Sequence, residues 1–414
     1  MPSLLRHFPF LRAVALYACT AFGGPQGHLG MMLKTFVHRR RDVTEEELLE
    51  LNAFCQMLPG PASTQTVMLI ALKRGGVLLA LATLGIWLLP AFVLMSACSF
   101  LLVYFGHAIP QHLFDYVRPM SVGFVFYAAL LMMRTAVRHP ATWAIMLVAL
   151  LAVVFIRSPW VFPLVLVAAG FASNVSSRRI PKTTAKPKPV RWTSLWLFVV
   201  VFVLAGILSE LARTGRLGSH GRIFNLFENF YRFGSIVFGG GQALLPMLLY
   251  QFVARPTRVG QAPWVQAGDL MTGYGLVQAT PGPVFSVCAF TGGLAMQQYG
   301  PGWQLAGCLV AMVGVFLPGT LILLFLYPVY QHLKQHVIIY RALEGVHAAV
   351  VGMIWASGIV LLLTLAGPDS PTAWPEELVA IGITLAVLLF TKLPAPLLVA
   401  GMMVAGLLKG YFQG

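Results

Sequence analysis

Apolar runs that approach ~20 residues, the length at which a helix crosses a bilayer, dominate this chain. The clearest are 76–106, 120–133 with its flanks, 141–157, 158–174, 195–210, 303–330, 342–366, 377–391 and 393–410. Such a chain has little surface to offer to water. Hydrophobic residues make up 58% of it and charged residues 10%, against roughly 25% charged in soluble domains. That excludes a soluble enzyme, a nucleic-acid binder and a disordered protein. The net charge of +15 reads as basic cytoplasmic loops between spans rather than a nucleic-acid surface. The expected fold class is therefore an all-α polytopic membrane protein. Cys19, Cys55, Cys98, Cys288 and Cys308 lie in apolar surroundings without a CxxC spacing, as packed thiols do. The N-terminus reads as retained, and residues 411–414 read as a tag scar.

Four further apolar stretches, 10–33, 48–72, 225–252 and 264–296, are broken near their middles. The breaks are Gly23-Gly24-Pro25, Pro59-Gly60-Pro61, Gly239-Gly240-Gly241 and Pro281-Gly282-Pro283. These breaks repeat. Phe22-Gly23-Gly24-Pro25-Gln26 returns as Phe238-Gly239-Gly240-Gly241-Gln242, offset by 216 residues. Gln56-Met57-Leu58-Pro59-Gly60-Pro61 returns as Gln278-Ala279-Thr280-Pro281-Gly282-Pro283, offset by 222. Leu89-Pro90 returns as Leu317-Pro318 at 228, and Arg118 as Arg341 at 223. Motifs in one order at a near-constant offset signal internal duplication. Residues 175–191 carry six positive charges, no acid and three prolines, so they read as a cytoplasmic linker. The expected organisation is a first repeat over 1–174, this linker, and a second repeat over 192–410.

Loop charge predicts that the repeats are inverted. Lys73 and Arg74 follow the first Pro-Gly-Pro segment, while the matching loop, 297–301, is uncharged. The next first-half loop carries Arg134, Arg138 and His139, and its counterpart carries Asp369, Glu376 and Glu377. By the positive-inside rule the first loop of each pair is cytoplasmic and the second external. Residues 34–47 and 73–75 are both basic enough to be cytoplasmic, so 48–72 must enter and return as a re-entrant hairpin. Irregular backbone at membrane depth is tolerated only within protein or around a wet cavity, so the four breaks should cluster near the midplane.

A helix restarting after Pro-Gly-Pro presents unpaired amides and a positive dipole end, which together bind anions. Pro61 suits the first helical position. The expected donors are the amides of Ala62, Ser63 and Thr64 with both hydroxyls, matched by the amides of Val284, Phe285 and Ser286 with the Ser286 hydroxyl. Broken helices at a repeat interface recur as transporter sites. The glycines permit close backbone approach. Gln26, Gln242, Gln56 and Gln278 stand beside the breaks, to bind substrate or to satisfy broken backbone. His28 has no equivalent, since Leu244 aligns with it, and reads as structural or as a coupling group. Ionisable residues in spans default to functional candidates. They are Asp115, Arg118, Glu210, Arg232, Asp269, Arg341, Glu344 and His347. Glu344 suits a coupling proton or an ion pair with Arg341, and Asp115 with Arg118 reads as a similar pair. The acids Asp42, Glu45, Glu46, Glu47 and Glu50 suggest an amphipathic helix along the membrane surface. No nucleotide-binding, metalloprotease or hydrolase motif occurs, and no cofactor or metal is implied.

The paired Phe-Gly-Gly and Gln-x-x-Pro-Gly-Pro elements, with His28, Arg39-Arg40-Arg41, Leu245-Pro246 and Gly273-Tyr274-Gly275, resemble the chromate ion transporter family, long-chain two-domain type. The resemblance covers about residues 10–410. It implies export of chromate from the bacterial cytoplasm across the inner membrane by alternating access, with sulfate as competitor or counter-ion, and halves of opposite orientation. The residues alone imply a secondary transporter with an anion-suited core, an oxyanion channel or an uptake carrier. They leave the coupling ion and the oligomeric state, a homodimer included, open.

Overall fold

A computed structural model describes residues 4–413 except 107, 111, 157–160, 174–191, 219–220, 239, 259, 330–336 and 366–373. The linker thus lies outside the described residues. Every regular element among the described residues is helical. Among the described residues, six helices are long and apolar enough to cross a membrane, and the chain is an all-α polytopic membrane protein. Two expected spans are shorter than ~20 residues. Pro140–Phe155 (α6) has 16 residues and Val161–Ala172 (α7) has 12.

The first half opens with two hairpins. Phe8–Thr20 (α1) and Gly24–Met32 (α2) are the arms of the first, and a π-helical turn, Leu33–Arg39, extends the second arm. Its ends meet where Arg40 Nη1 donates to the Pro9 carbonyl at 3.0 Å. Inside it, Phe10 and Tyr17 each pack on Phe36 with ring centres 5.7 Å apart. Glu45–Gln56 (α3) begins the second hairpin, its first turn capped by the Thr44 hydroxyl, which accepts from Glu47 N–H at 3.2 Å. The returning arm is the start of Ala62–Phe105 (α4).

Helix α4 is two helices. Trp87 Nε1 donates to Thr64 Oγ1 at 2.9 Å. On a continuous helix those residues would stand about 35 Å apart at ~1.5 Å per residue. The chain therefore reverses between them, at Gly75-Gly76, where backbone angles leave the helical region and Gly76 takes φ +79°. Arm 62–74 returns from the tip and arm 77–105 crosses.

The acidic run does not float on the surface. Asp42, its side chain 2% exposed, lies between Arg40 and Arg74, and Glu47 pairs with Lys73. Arg40 and Arg74 also cover the Phe10 ring. This clasp ties the open ends of both hairpins together. At 12 residues, α3 reaches about 18 Å, roughly half-way through a ~30 Å hydrocarbon layer.

The second half repeats the pattern. Arg222–Ile236 (α9) precedes Leu244–Leu249 (α10), and Phe230 of α9 packs on Phe252 of the turn after α10, ring centres 5.5 Å apart. A π-helical turn and the short Arg255–Arg258 (α11) follow. Ala267–Val277 (α12) and Val287–Met296 (α13) form the fourth hairpin. Arg222 marks its base, over the Trp264 ring at 4.5 Å and donating to the Ala295 carbonyl at 3.3 Å. The chain reverses again at Gly300, φ +96°, into Pro301–Leu326 (α14).

The crossing arm of α4 and helix α14 run the length of the assembly. From the first clasp, α4 passes Thr64 at Trp87, then Gly282 at Ala91, then Gly293 at Ser99. Helix α14 starts at the base of the fourth hairpin, passes Gly60 at Gly319, and ends with Tyr327 against Phe54 of α3. Around this centre pack Val117–Ala136 (α5), α6, α7, Val337–Leu365 (α15), Trp374–Phe390 (α16) and Ala395–Gln413 (α17). Trp192–Arg213 (α8) presents apolar residues nearly all round, with 6% of its apolar window buried, as a lipid-facing helix does.

Close approach at the fourth hairpin depends on glycine. A Cβ on Gly292 would fall 2.3 Å from the Gly307 carbonyl oxygen and 2.5 Å from Ala311. Gly292→Ala is expected to cost about 1–3 kcal/mol, seen as a lowered thermal midpoint in detergent. Gly382→Ala, where nothing lies within 4 Å, should leave the midpoint unchanged or raise it.

Candidate functional site

The four hairpin tips meet. His28 Nδ1, just past the first tip, lies 3.0 Å from Ser63 Oγ at the second. Gly60 N–H at the second tip donates to the Val237 carbonyl at the third, 2.7 Å. At the third, Gly241 is so close to the fourth that a Cβ there would stand 2.8 Å from Val284. Gly282 N–H at the fourth donates to the Ala21 carbonyl at the first, 2.9 Å. The contacts close a ring.

The ring is reciprocal. Ala21 and Val237 are 216 residues apart and Gly60 and Gly282 are 222 apart, the offsets of the sequence motifs. Each Pro-Gly-Pro tip clasps the glycine tip of the other half. Both donors need a backbone open to glycine, with φ +105° at Gly60 and +111° at Gly282. Their outer neighbours match too. Gly60 packs on Gly319 and Gly282 on Ala91, each just after a helix-interior proline, Pro318 or Pro90.

The first-half tip presents a long helix N-terminus. Pro61 is its N-cap, one position earlier than expected, because its ψ of 100° is extended. Gln65 N–H is the amide that bonds back, to Pro61 at 3.1 Å, so the amides of Ala62, Ser63 and Thr64 precede the helical ladder. Ser63 and Thr64 are buried and their hydroxyls are engaged, Ser63 with His28 and Thr64 as acceptor from Trp87. Trp87 stacks on Tyr17 with centres 4.6 Å apart and meets the His28 ring edge-on at 5.3 Å. The corresponding second-half positions are Leu244, Phe285, Ser286, Val315 and Phe233, nearly all apolar.

The second-half tip is poorer in donors than expected. It restarts as a tight turn, Val284–Ser286. Both the amide and the hydroxyl of Ser286 donate to the Pro283 carbonyl, at 2.9 and 2.8 Å. A tight turn closes its bonds one residue sooner than an α-helix, which leaves the amides of Val284 and Phe285.

Among the described residues, His28 Nε2, Gln65 Oε1, Gln278 Nε2 and Tyr274 Oη are buried atoms near the ring without a hydrogen bond of normal geometry, which is unusual for buried polar groups. Where Ser63 donates to His28 Nδ1, the imidazole proton is on Nε2, near the Ala21 carbonyl, and Gln278 lies beside the Tyr274 hydroxyl. Gln65 holds the ring itself, its amide donating to Pro59 at 2.8 Å and Gly319 at 3.3 Å. Sequence reasoning passed over Gln65, Tyr17 and Trp87. A polar residue inside the apolar arm that follows a break was the available signal for Gln65.

Other expected residues scatter. Gln56 is exposed, and its carbonyl pairs with His347 Nε2 at 3.0 Å. Asp115 does not pair with Arg118. It meets His112 at 2.9 Å and Lys409 at 3.9 Å, while Arg118 lies against Gly268 and Thr272 of α12. The reason is register: the last turn before α5 points Asp115 toward α17 and Arg118 toward α12. Arg232 pairs with Glu228 at 2.8 Å and Arg213 with Glu210 at 2.7 Å. Glu344 lies one turn before His347 on α15. Gly23 takes φ +89° and Gly24 +68° ahead of α2, and Gly240 takes +110°. Gly239 and the side chains of Pro25, Gln26, Gln242 and Arg341 lie outside the described residues.

A family model described as chromate transporter matches residues 8–173 and 224–407. The chain belongs to the chromate transporter family. It is 28% identical over 408 residues to a chromate transport protein of Cupriavidus metallidurans, covering 96% of this chain and 92% of the relative. A chromate transport protein of Pseudomonas aeruginosa is 26% identical over 354 residues, 83% of this chain and 78% of that protein. A Bacillus subtilis protein described as an uncharacterized transporter, YwrA, is 27% identical over 190 residues, 45% of this chain yet 97% of the relative. No solved structure matches. All four tips fall inside the two matched blocks, and α8 falls between them.

The Trp87 bond to Thr64 is separable from its stacking. Trp87→Phe should lower stability by about 1–2 kcal/mol, read from the thermal midpoint. Tyr17→Phe should cost less, because its hydroxyl bond to the His28 carbonyl is long at 3.3 Å. An equal or larger loss in Tyr17→Phe would contradict this ranking.

Proposed function

We propose that this protein exports chromate across the bacterial cytoplasmic membrane by alternating access, in exchange for sulfate or protons, with the ring of tips as the oxyanion site. The single observation that carries the reading is the reciprocal clasp of Gly60 on Val237 and Gly282 on Ala21. It joins two sets of hairpins through two backbone bonds and sets a helix N-terminus beside them. The names of the relatives supply chromate as the substrate. The ring supplies the chemistry: neutral amides on a positive dipole end, with the Nε2–H of His28, which Ser63 orients, and the amide of Gln278, suit a tetrahedral dianion without a fixed counter-charge. The proposed site comprises Gly23 to Gln26, His28, Pro59 to Thr64, Gly239 to Gln242, Gln278, Pro281 to Pro283 and Ser286, and leaves out Gln56, which is exposed. Its donors are weighted toward the first half.

The proposed organisation is two inverted repeats, 1–174 and 192–410, around a cytoplasmic linker. Support comes from the courses of α4 and α14, which touch the base of one hairpin pair, then the tips, then the other pair. The half-length relative supports two units. Helix α8 then acts as the single added crossing that turns the second repeat over. Rocking one hairpin pair against the other opens the ring to alternate sides. Arg118, Arg341 and Glu344 stand outside the ring as candidates for coupling.

Ser63→Ala and Gln278→Ala should each lower chromate uptake into inside-out vesicles about tenfold, the effect of ~1.4 kcal/mol, with unchanged amounts of folded protein. Unchanged uptake in both variants would remove the donor assignment. Topology is tested by impermeant thiol labelling of Lys73→Cys and Gln298→Cys in a chain lacking the exposed Cys19. Labelling from opposite sides is expected, and same-side labelling would refute inversion.

A further inference from the structure

The first hairpin carries a groove of about 680 Å³ on its outer face, between α1 and α2 with its π-helical extension. Arg12, Lys34 and Arg39 line it, all exposed. Among the described residues no carboxylate pairs with any of the three, whereas Arg40 beside them is held by Asp42. Arg40, Tyr17, Thr20 and Thr35 also line it, and the remaining wall is apolar. Phe8 and Leu16 are 63% and 61% exposed, and Met31 faces them across the groove.

These two chemistries are ordered by depth. Arg12 is one turn from the start of α1, and Arg39 ends the π-helical turn, beside the point where Arg40 reaches Pro9. Lys34 is little more than one turn deeper. Leu16, Thr20 and Met31 lie nearer the tip, further into the membrane. Cations at the interface above an apolar channel match an anionic phospholipid, with its phosphate at the hairpin base and an acyl chain along Leu16 and Met31. A soluble oxyanion would satisfy the cations and leave the apolar wall unused.

The other half closes the same place. At an offset of 216 residues, Arg12 becomes Glu228, paired with Arg232 at 2.8 Å, and Lys34 becomes Tyr250. Phe162 of α7 lies there with Arg232, Phe233 and Met247, and about 10 Å³ remains. The protein fills this groove with its own helix in one half and leaves it open and cationic in the other.

We infer that the open groove binds an anionic phospholipid through Arg12, Lys34 and Arg39. Protein occupants meet the wrong charge. A second copy docking this face about a two-fold axis would set like cations against each other. The linker, with six positive charges and no acid, would be repelled too. The inference stands apart from the transport reading.

The test is native mass spectrometry of the delipidated full-length protein titrated with phosphatidylglycerol or phosphatidylcholine. Phosphatidylglycerol should be retained at least tenfold better, and Arg12→Gln with Lys34→Gln together should abolish that preference while elution stays monodisperse. Lys34→Gln alone should lose part of it. The two-lipid comparison on the unaltered protein needs no variant. Equal retention of the two lipids would overturn the inference, as would undiminished preference in the double variant. Displacement of the lipid by millimolar inorganic phosphate would also overturn it, by assigning the groove to a free oxyanion.

Discussion

Backbone exposed in the middle of a bilayer has no water to bond, so every broken helix there must find its partner in protein. This chain breaks four apolar segments and pairs the breaks with one another. The amide freed at each Pro-Gly-Pro tip meets the carbonyl freed at the other half's glycine tip. The remaining architecture serves that exchange. Charged clasps hold the hairpin bases, glycine reversals return the chain to the crossing helices, and Ala91 and Gly319, each next to a helix-interior proline, lie under the tips.

The pairing is symmetric, but the chemistry it carries is not. The first half surrounds its tip with His28, Ser63, Thr64, Tyr17 and Trp87. The second half offers Leu244, Phe285, Val315 and Phe233 at those positions, and its Ser286 is turned back on its own break. The backbone clasp thus occurs twice at matching offsets, and the polar cluster once.

Much of this was legible in the sequence because it rests on backbone rules. Glycine and proline at fixed offsets announce the breaks, and the basic residues on both sides of 48–72 announce a hairpin there. The clasp of Asp42 and Glu47 was not legible, because a salt bridge between segments 32 residues apart, Asp42 with Arg74, leaves no local periodicity, whereas Glu45 and Glu46 are exposed on a helix as expected. Arg118 and Asp115 were misread because a three-residue spacing permits a pair without requiring one, and α12 and α17 offered closer partners. Gln65 and Trp87 escaped notice because their roles depend on the reversal at Gly75-Gly76, which a hydropathy profile reads as continuous helix.

The central claim is that the paired tips form a site whose access alternates, so that transport is coupled exchange rather than leakage. Labelled chromate uptake into proteoliposomes preloaded with sulfate tests it most directly, with and without an imposed pH gradient. The account predicts chromate accumulation above its external concentration, driven by the sulfate or by the pH gradient. Flux that only equilibrates chromate, whatever lies inside, would mean an open pore and contradict it.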